Sequence, residues 1–212
     1  MKKLVIALAI SLCLAGLAPA QTPLRPGFSF GFKSGLNIAD FSGKDVDTAF
    51  RTKAGFALGG LLSYQISNAL AVQAEALFTQ KGSRIFVKVQ GTTLNEWVNL
   101  SYIEVPLLLK FFPPMESTVR PILFAGPYFA FKVSFKDKWE FGSQNGNEDI
   151  TTYRGTDTGF AAGGGVDFPV GKGTRMSAEV RYTLGLSTLS QDSAEKGYNA
   201  VFSILVQIAF GK

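Results

Sequence analysis

Histidine is absent from this 212-residue chain, and cysteine occurs once, as Cys13. Without imidazole the usual general base at neutral pH is missing, and with it Ser-His-Asp, Asp-His and imidazole-metal sites. The chain is therefore expected not to be an enzyme and to hold no cofactor. Gly163-Gly164-Gly165 lacks the Gly-Lys-Ser/Thr ending of a phosphate loop and falls inside a strand pattern, where close packing accounts for it. Glu148-Asp149 lacks the spaced oxygen ligands of a calcium loop, so no metal site is expected either. Past the N-terminus no run of eighteen apolar residues occurs, which excludes a helical membrane span there. Charged residues make up 17% of the chain and leave a net +5, too mild an excess to point to nucleic acid.

The N-terminus has the order of a secretory signal. Lys2-Lys3 is followed by the apolar run Leu4 to Leu17 and then by Ala18-Pro19-Ala20 ahead of Gln21. Residues 1–20 are read as a cleaved signal and 21–212 as one domain; a retained anchor fits less well, because the run is short and ends in a cleavage-type site. Leu12 stands where a lipoprotein would carry a small residue before Cys13. Without residues 1–20 the chain has no cysteine, hence no disulfide or thiol nucleophile, and without Lys2 and Lys3 its net charge falls from +5 to +3.

What the chain does have is a period of two. From Tyr198 to Phe210 the even positions (Tyr198, Ala200, Phe202, Ile204, Val206, Ile208, Phe210) are apolar, while the odd ones include Asn199, Ser203 and Gln207. That is a strand with one oily face, about 40 Å long at 3.3 Å per residue, enough to cross a bilayer at a slant. Aromatic rings at both ends fall where interfacial girdles sit in a transmembrane barrel.

The same alternation predicts strands at 28–39, 53–66, 69–82, 99–112, 119–135, 157–170 and 175–186, eight in all with the last. In the fifth, Arg120 and Lys132 set the expected inward face. The connections alternate long and short. Ser67-Asn68, 113–117 and 171–174 are the short turns, and about 40–52, 83–98, 136–156 and 187–197 the long loops. This sorting is the signature of an eight-stranded antiparallel up-and-down transmembrane β-barrel, with both termini on the short-turn, periplasmic side.

The rival reading is a soluble, lipocalin-like eight-stranded carrier of an apolar ligand, its oily face turned inward. Eight strands enclose an interior only just wide enough for side chains. The Phe, Leu, Ile and Tyr of the apolar faces do not fit there. The other faces do, being Gly, Ala, Ser and Thr interspersed with Lys33, Asp167 and a lumen ionic cluster of Glu75, Glu104, Lys110, Arg120, Glu179 and Arg181. Buried charges must pair, so ion pairs are expected to plug the interior, with Glu104 and Lys110 near Arg120 and Glu75 near either.

Three blocks carry a resemblance: Gly31 to Ala39, Tyr102 to Lys110 with Pro106 in mid-strand, and Arg120 to Tyr128. They resemble the PorT-like outer-membrane beta-barrel domain family, along essentially the whole chain after residue 20. The resemblance implies an eight-stranded, porin-like barrel of a Gram-negative cell envelope, and for a few members a tie to protein secretion; it implies no single activity. Expected partners are outer-membrane lipid and an envelope or secretion protein, the barrel itself being a monomer. Trp97, Trp139, Phe141, Tyr153 and Arg154 in the long loops are the candidate contacts, since aromatics beside arginine favour interfaces. The competing role for them is capping the barrel rim.

Overall fold

The computed structural model describes residues 26–42, 50–89, 92–115, 117–142, 144–149, 153–188 and 197–211. The expected signal at 1–20, with Cys13, lies outside them, as do most of the loop after the first strand and of the loop before the last.

Nine strands form: β1 (Gly27–Ser42), β2 (Phe50–Gln65), β3 (Leu70–Val89), β4 (Thr92–Phe111), β5 (Arg120–Phe141), β6 (Gln144–Asp149), β7 (Thr156–Gly171), β8 (Thr174–Gly185) and β9 (Tyr198–Gly211). All pairings are antiparallel; successive strands pair except that β7 pairs with β5 rather than with β6, and β1 pairs with β9 to close the ring. Eight strands thus close a ring. The short β6 stands outside it, paired to the far end of β5. The ring leaves no barrel strand with an open edge.

The period-two pattern decides which way each side chain points. Phe28, Phe30, Phe32 and Leu36 on β1, Leu107 and Leu109 on β4, and Phe202, Ile204 and Val206 on β9 are all exposed on the outer wall. Their sequence neighbours Lys33, Asn37, Lys110, Ser203 and Gln207 are buried inside. Phe202, Ile204 and Leu107 are 42%, 52% and 52% exposed, against 2% for both Glu179 and Arg181, which removes the inward-facing carrier reading. An exposed apolar wall of this extent belongs against acyl chains rather than water.

Turn chemistry sets the short end. In the Lys172–Gly173 turn Gly173 has φ +70°, a left-handed conformation that side chains resist. At Ser67-Asn68 the Ile66 amide donates to the Leu70 carbonyl at 2.9 Å and the Ala69 amide to the Ser67 hydroxyl at 3.3 Å.

Two expected loops are largely strand. β3 and β4 run on to Val89 and Thr92, across the loop expected at 83–98. β5 reaches Phe141 and pairs there with β6, across the loop expected at 136–156. The far parts of β3, β4 and β5, with β6, therefore form a sheet that projects past the apolar wall.

Candidate functional site

The inward side chains stack in layers along the barrel axis. Nearest the short turns, Asp167 pairs with Arg120 at 3.3 Å and with Arg175, and accepts from the Ser177 hydroxyl at 3.1 Å. The Arg120 guanidinium lies 4.4 Å from the centre of the Phe112 ring, a cation-π distance.

The central layer is the densest. Lys33 on β1 donates to Glu75 on β3 at 2.6 Å and to Glu179 on β8 at 2.7 Å. Lys110 on β4 reaches Glu179 at 2.7 Å, and Arg181 grips both oxygens of Glu75 at 2.8 Å each. Gln73 donates to Glu75 at 2.6 Å and to Gln207 at 3.1 Å. Every charge is thus hydrogen-bonded, as burial demands, with three cations facing two carboxylates.

Above it, the Asn37 amide donates to Thr79 and the Ser203 hydroxyl donates to Asn37, both at 2.8 Å. Next comes Lys81, 2.6 Å from Glu104 and 3.2 Å from Asp157. Asp157 also accepts from the Tyr128 hydroxyl at 3.0 Å, Asn199 at 2.8 Å and Ser187 at 2.9 Å. A lid of Val98, Leu100, Tyr102, Tyr128, Ala130 and Phe135 covers this layer, with Tyr153 packed against it.

Glycine makes the layers possible. A Cβ at Gly163 would sit 2.6 Å from the Phe124 ring, and one at Gly159 would sit 2.7 Å from the Tyr128 ring. Those bare positions on β7 are where the large lumenal rings lie flat. Pro106 contributes differently: having no N–H, it interrupts the β3–β4 ladder, which skips from Ala74↔Leu107 to Leu77↔Glu104 beside Glu75.

A cavity of about 10 Å³ lies between the central and upper layers, lined by Lys81, Glu104, Arg181, Asn37, Thr79 and Ser203 among others. It has room for about one water. Among the described residues no group of three or more acidic, histidine or cysteine side chains suits a metal ion.

All six expected cluster residues are buried or half-buried on the inner face, but the expected partners are wrong. Glu104 and Lys110 are not beside Arg120: they bind Lys81 and Glu179, while Arg120 binds Asp167. Strand tilt and stagger bring together residues from strands that are not sequence neighbours. Lys81 and Asp157 belong to the set as well; the inward row Gln73, Glu75, Thr79, Lys81 was the available signal. Lys132 keeps the expected inward side, in register with the buried Tyr102, but it is exposed there with its ammonium 4.6 Å from the Phe135 ring; a bulge just beyond it, between the Tyr102↔Lys132 and Ser101↔Ser134 pairs, reverses the parity so that Phe135 turns inward.

Residues 20–191 match the outer membrane protein beta-barrel domain family. This chain belongs to that family. Outer-membrane localisation follows from family and fold together. The chain is 34% identical over 86 residues to the 31 kDa outer-membrane immunogenic proteins of Brucella melitensis and Brucella suis, a stretch covering 40% of this chain and 36% of each of theirs. It thus spans little more than a third of the curated relatives it matches. Among solved structures, the barrel of the outer membrane protein OprG from Pseudomonas aeruginosa aligns with a TM-score of 0.53 at 12% identity, covering 88% of this chain and 96% of that one. The attachment invasion locus protein of Yersinia pestis aligns with a TM-score of 0.45 at 15% identity, covering 88% of this chain and all of that one. At 12% identity the likeness to OprG is one of fold alone.

Segments that project from a rigid scaffold are the usual carriers of binding function. Here the candidate contact residues divide. Trp97, Trp139 and Phe141 lie on strands β4 and β5 rather than in loops. Trp139 lies flat on Gly146 of β6, where a Cβ would stand 2.6 Å from the indole. Tyr153 folds back onto the lid, while Phe141 and Arg154 are exposed.

On the inner side of the projecting sheet, past the apolar wall, lie Glu96 of β4 and Asp137 of β5. Burial pushes the Glu96 carboxyl above its ordinary range, and the charge of neighbouring Asp137 adds to the rise. Burial raises Asp137 as well, offset by its hydrogen bond with Glu96 and reinforced by the charge of Glu148.

Proposed function

We propose that this chain is a non-enzymatic, monomeric outer-membrane barrel whose lumen is a permanent ionic plug and whose working surface is the projecting β3–β4–β5–β6 sheet. The observation that carries this is the central layer, where five charged side chains are fully buried and mutually bonded. Opening a passage through them would strand charges in a medium of low dielectric. The complete absence of histidine supports the non-catalytic half.

The projecting sheet faces outward from the cell in this reading, and both termini face the periplasm. In support, Gly27 and Gly211 lie at the short-turn end beside Lys172–Gly173. The three sequence blocks around Gly31, Pro106 and Arg120 keep a PorT-like placement within the family open, with an envelope or secretion protein as partner. Conductance is the test. The chain from Gln21, reconstituted in a planar bilayer, is expected to pass no steady ionic current across ±100 mV; discrete channel openings would refute the plug.

A further inference from the structure

The outer face of the projecting sheet carries side chains that the plug does not use. Arg84, Trp97 and Lys138 stand in register on β3, β4 and β5. The Arg84 guanidinium is 5.0 Å and the Lys138 ammonium 5.6 Å from the Trp97 ring centre. Arg84 is exposed, and the Lys138 side chain keeps 55% of its surface free. Their neighbours Val98 and Leu100 are buried on the inner side, so this row shares the outer wall with Leu107, Leu109 and Phe111 further down β4.

Its height singles out one kind of lipid. The exposed apolar wall ends at Ile103 on β4, six residues after Trp97 in the chain, and at Val133 on β5, which stands level with Ser101 and Tyr102, about four residues below the row. Four to six residues advance about 13–20 Å along a strand, or roughly 10–15 Å in height once the strand is tilted as in a barrel. A simple phospholipid head extends only about 5–7 Å past the hydrocarbon. A lipid whose head reaches this row must carry several sugars. The Trp97 ring holds the two cations over it, and a paired guanidinium and ammonium suit phosphate, which arginine grips with two parallel bonds.

The opposing charges on this face are weak competitors. Glu140, 44% exposed, lies 3.4 Å from Lys138, and Asp149 is on β6 in register with Lys136. Arg84 has a neutral neighbour, donating to Asn95 at 3.2 Å. Exposed ion pairs of this kind contribute little and yield to a phosphate.

We propose that the Arg84–Trp97–Lys138 row is a docking site for the phosphorylated saccharide head of an outer-leaflet glycolipid. This rests on the outward orientation proposed above, which cysteine labelling tests separately; a current through the barrel would end the plug without touching this site. The test is lipid retention, by native mass spectrometry, on the chain from Gln21 in neutral detergent. The probes are a short-core lipopolysaccharide, its dephosphorylated form and phosphatidylglycerol. The wild type is expected to retain the phosphorylated form at least tenfold better than either other lipid. Arg84→Gln with Lys138→Gln, and Trp97→Ala separately, are expected to lose that preference, whereas Lys172→Gln at the opposite end keeps it. The double variant is expected to remain folded, as judged by the heat-modifiable gel shift, because Arg84 and Lys138 are exposed; the same shift checks Trp97→Ala, whose ring is half-buried. Equal retention of phosphatidylglycerol, equal retention of the dephosphorylated form, or full retention by the double variant would each overturn the site.

Discussion

The charged side chains of the central layer are not equivalent, and their bookkeeping makes the difference measurable. Glu179 holds both Lys33 and Lys110, so Glu179→Ala leaves three buried cations on one carboxylate. The expected loss is about 3–5 kcal/mol, read from urea unfolding in detergent micelles. Lys110→Met instead leaves two cations on two carboxylates and is expected to cost clearly less. Equal losses for the two variants would mean that charge balance is not what matters here. Gly163 makes a packing counterpart: a Cβ there meets the Val180 carbonyl at 2.2 Å and the Phe124 ring at 2.6 Å. Gly163→Val is expected to destabilise the barrel by about 3 kcal/mol, at the upper end of overpacking costs, in the same unfolding assay.

At the scale of the strand, much was legible because one rule governs it. Alternation in Phe28 to Ile38 and in Tyr198 to Phe210 names the outer residues correctly, since a strand's side chains have no other way to sort. The rule fails where its premise does. Past Ser101 both faces of β4 meet water or lid, so Glu96 and Asn99 gave no sign of continuing strand. The bulge at Lys132 reverses parity without any mark in the sequence. Ion partners were illegible for another reason: Lys33 and Glu179 are 146 residues apart and meet only across a closed ring.

The projecting sheet also has a pH response of predictable sign. The Glu96 and Asp137 carboxyls are raised by burial in the fold, so the folded sheet binds protons more tightly than the unfolded chain does. Stability from this pair is therefore present at acid pH and is lost as pH rises from the ordinary carboxylate range through the raised values. Hydrogen exchange at the Val98 and Leu100 amides is expected to show greater intrinsic-rate-corrected protection at pH 5 than at pH 8, and Glu96→Gln to flatten the difference. Protection that grows with pH would reverse the assignment.

For the molecule as a whole, orientation and burial follow from a single inversion relative to soluble proteins, oil outside and charge within. Because the chain from Gln21 has no cysteine, single cysteines report cleanly. Asn147→Cys on β6 is expected to react with a membrane-impermeant maleimide on intact cells, and Lys172→Cys only after the outer membrane is breached. The inversion itself is tested most directly by spin labels at Ile204→Cys and Ser203→Cys in lipid bilayers. The label at 204 is expected to collide freely with dissolved oxygen and hardly at all with a water-soluble nickel chelate, while the label at 203 is shielded from both. Nickel access at 204, with oxygen access at 203, would contradict the arrangement outright.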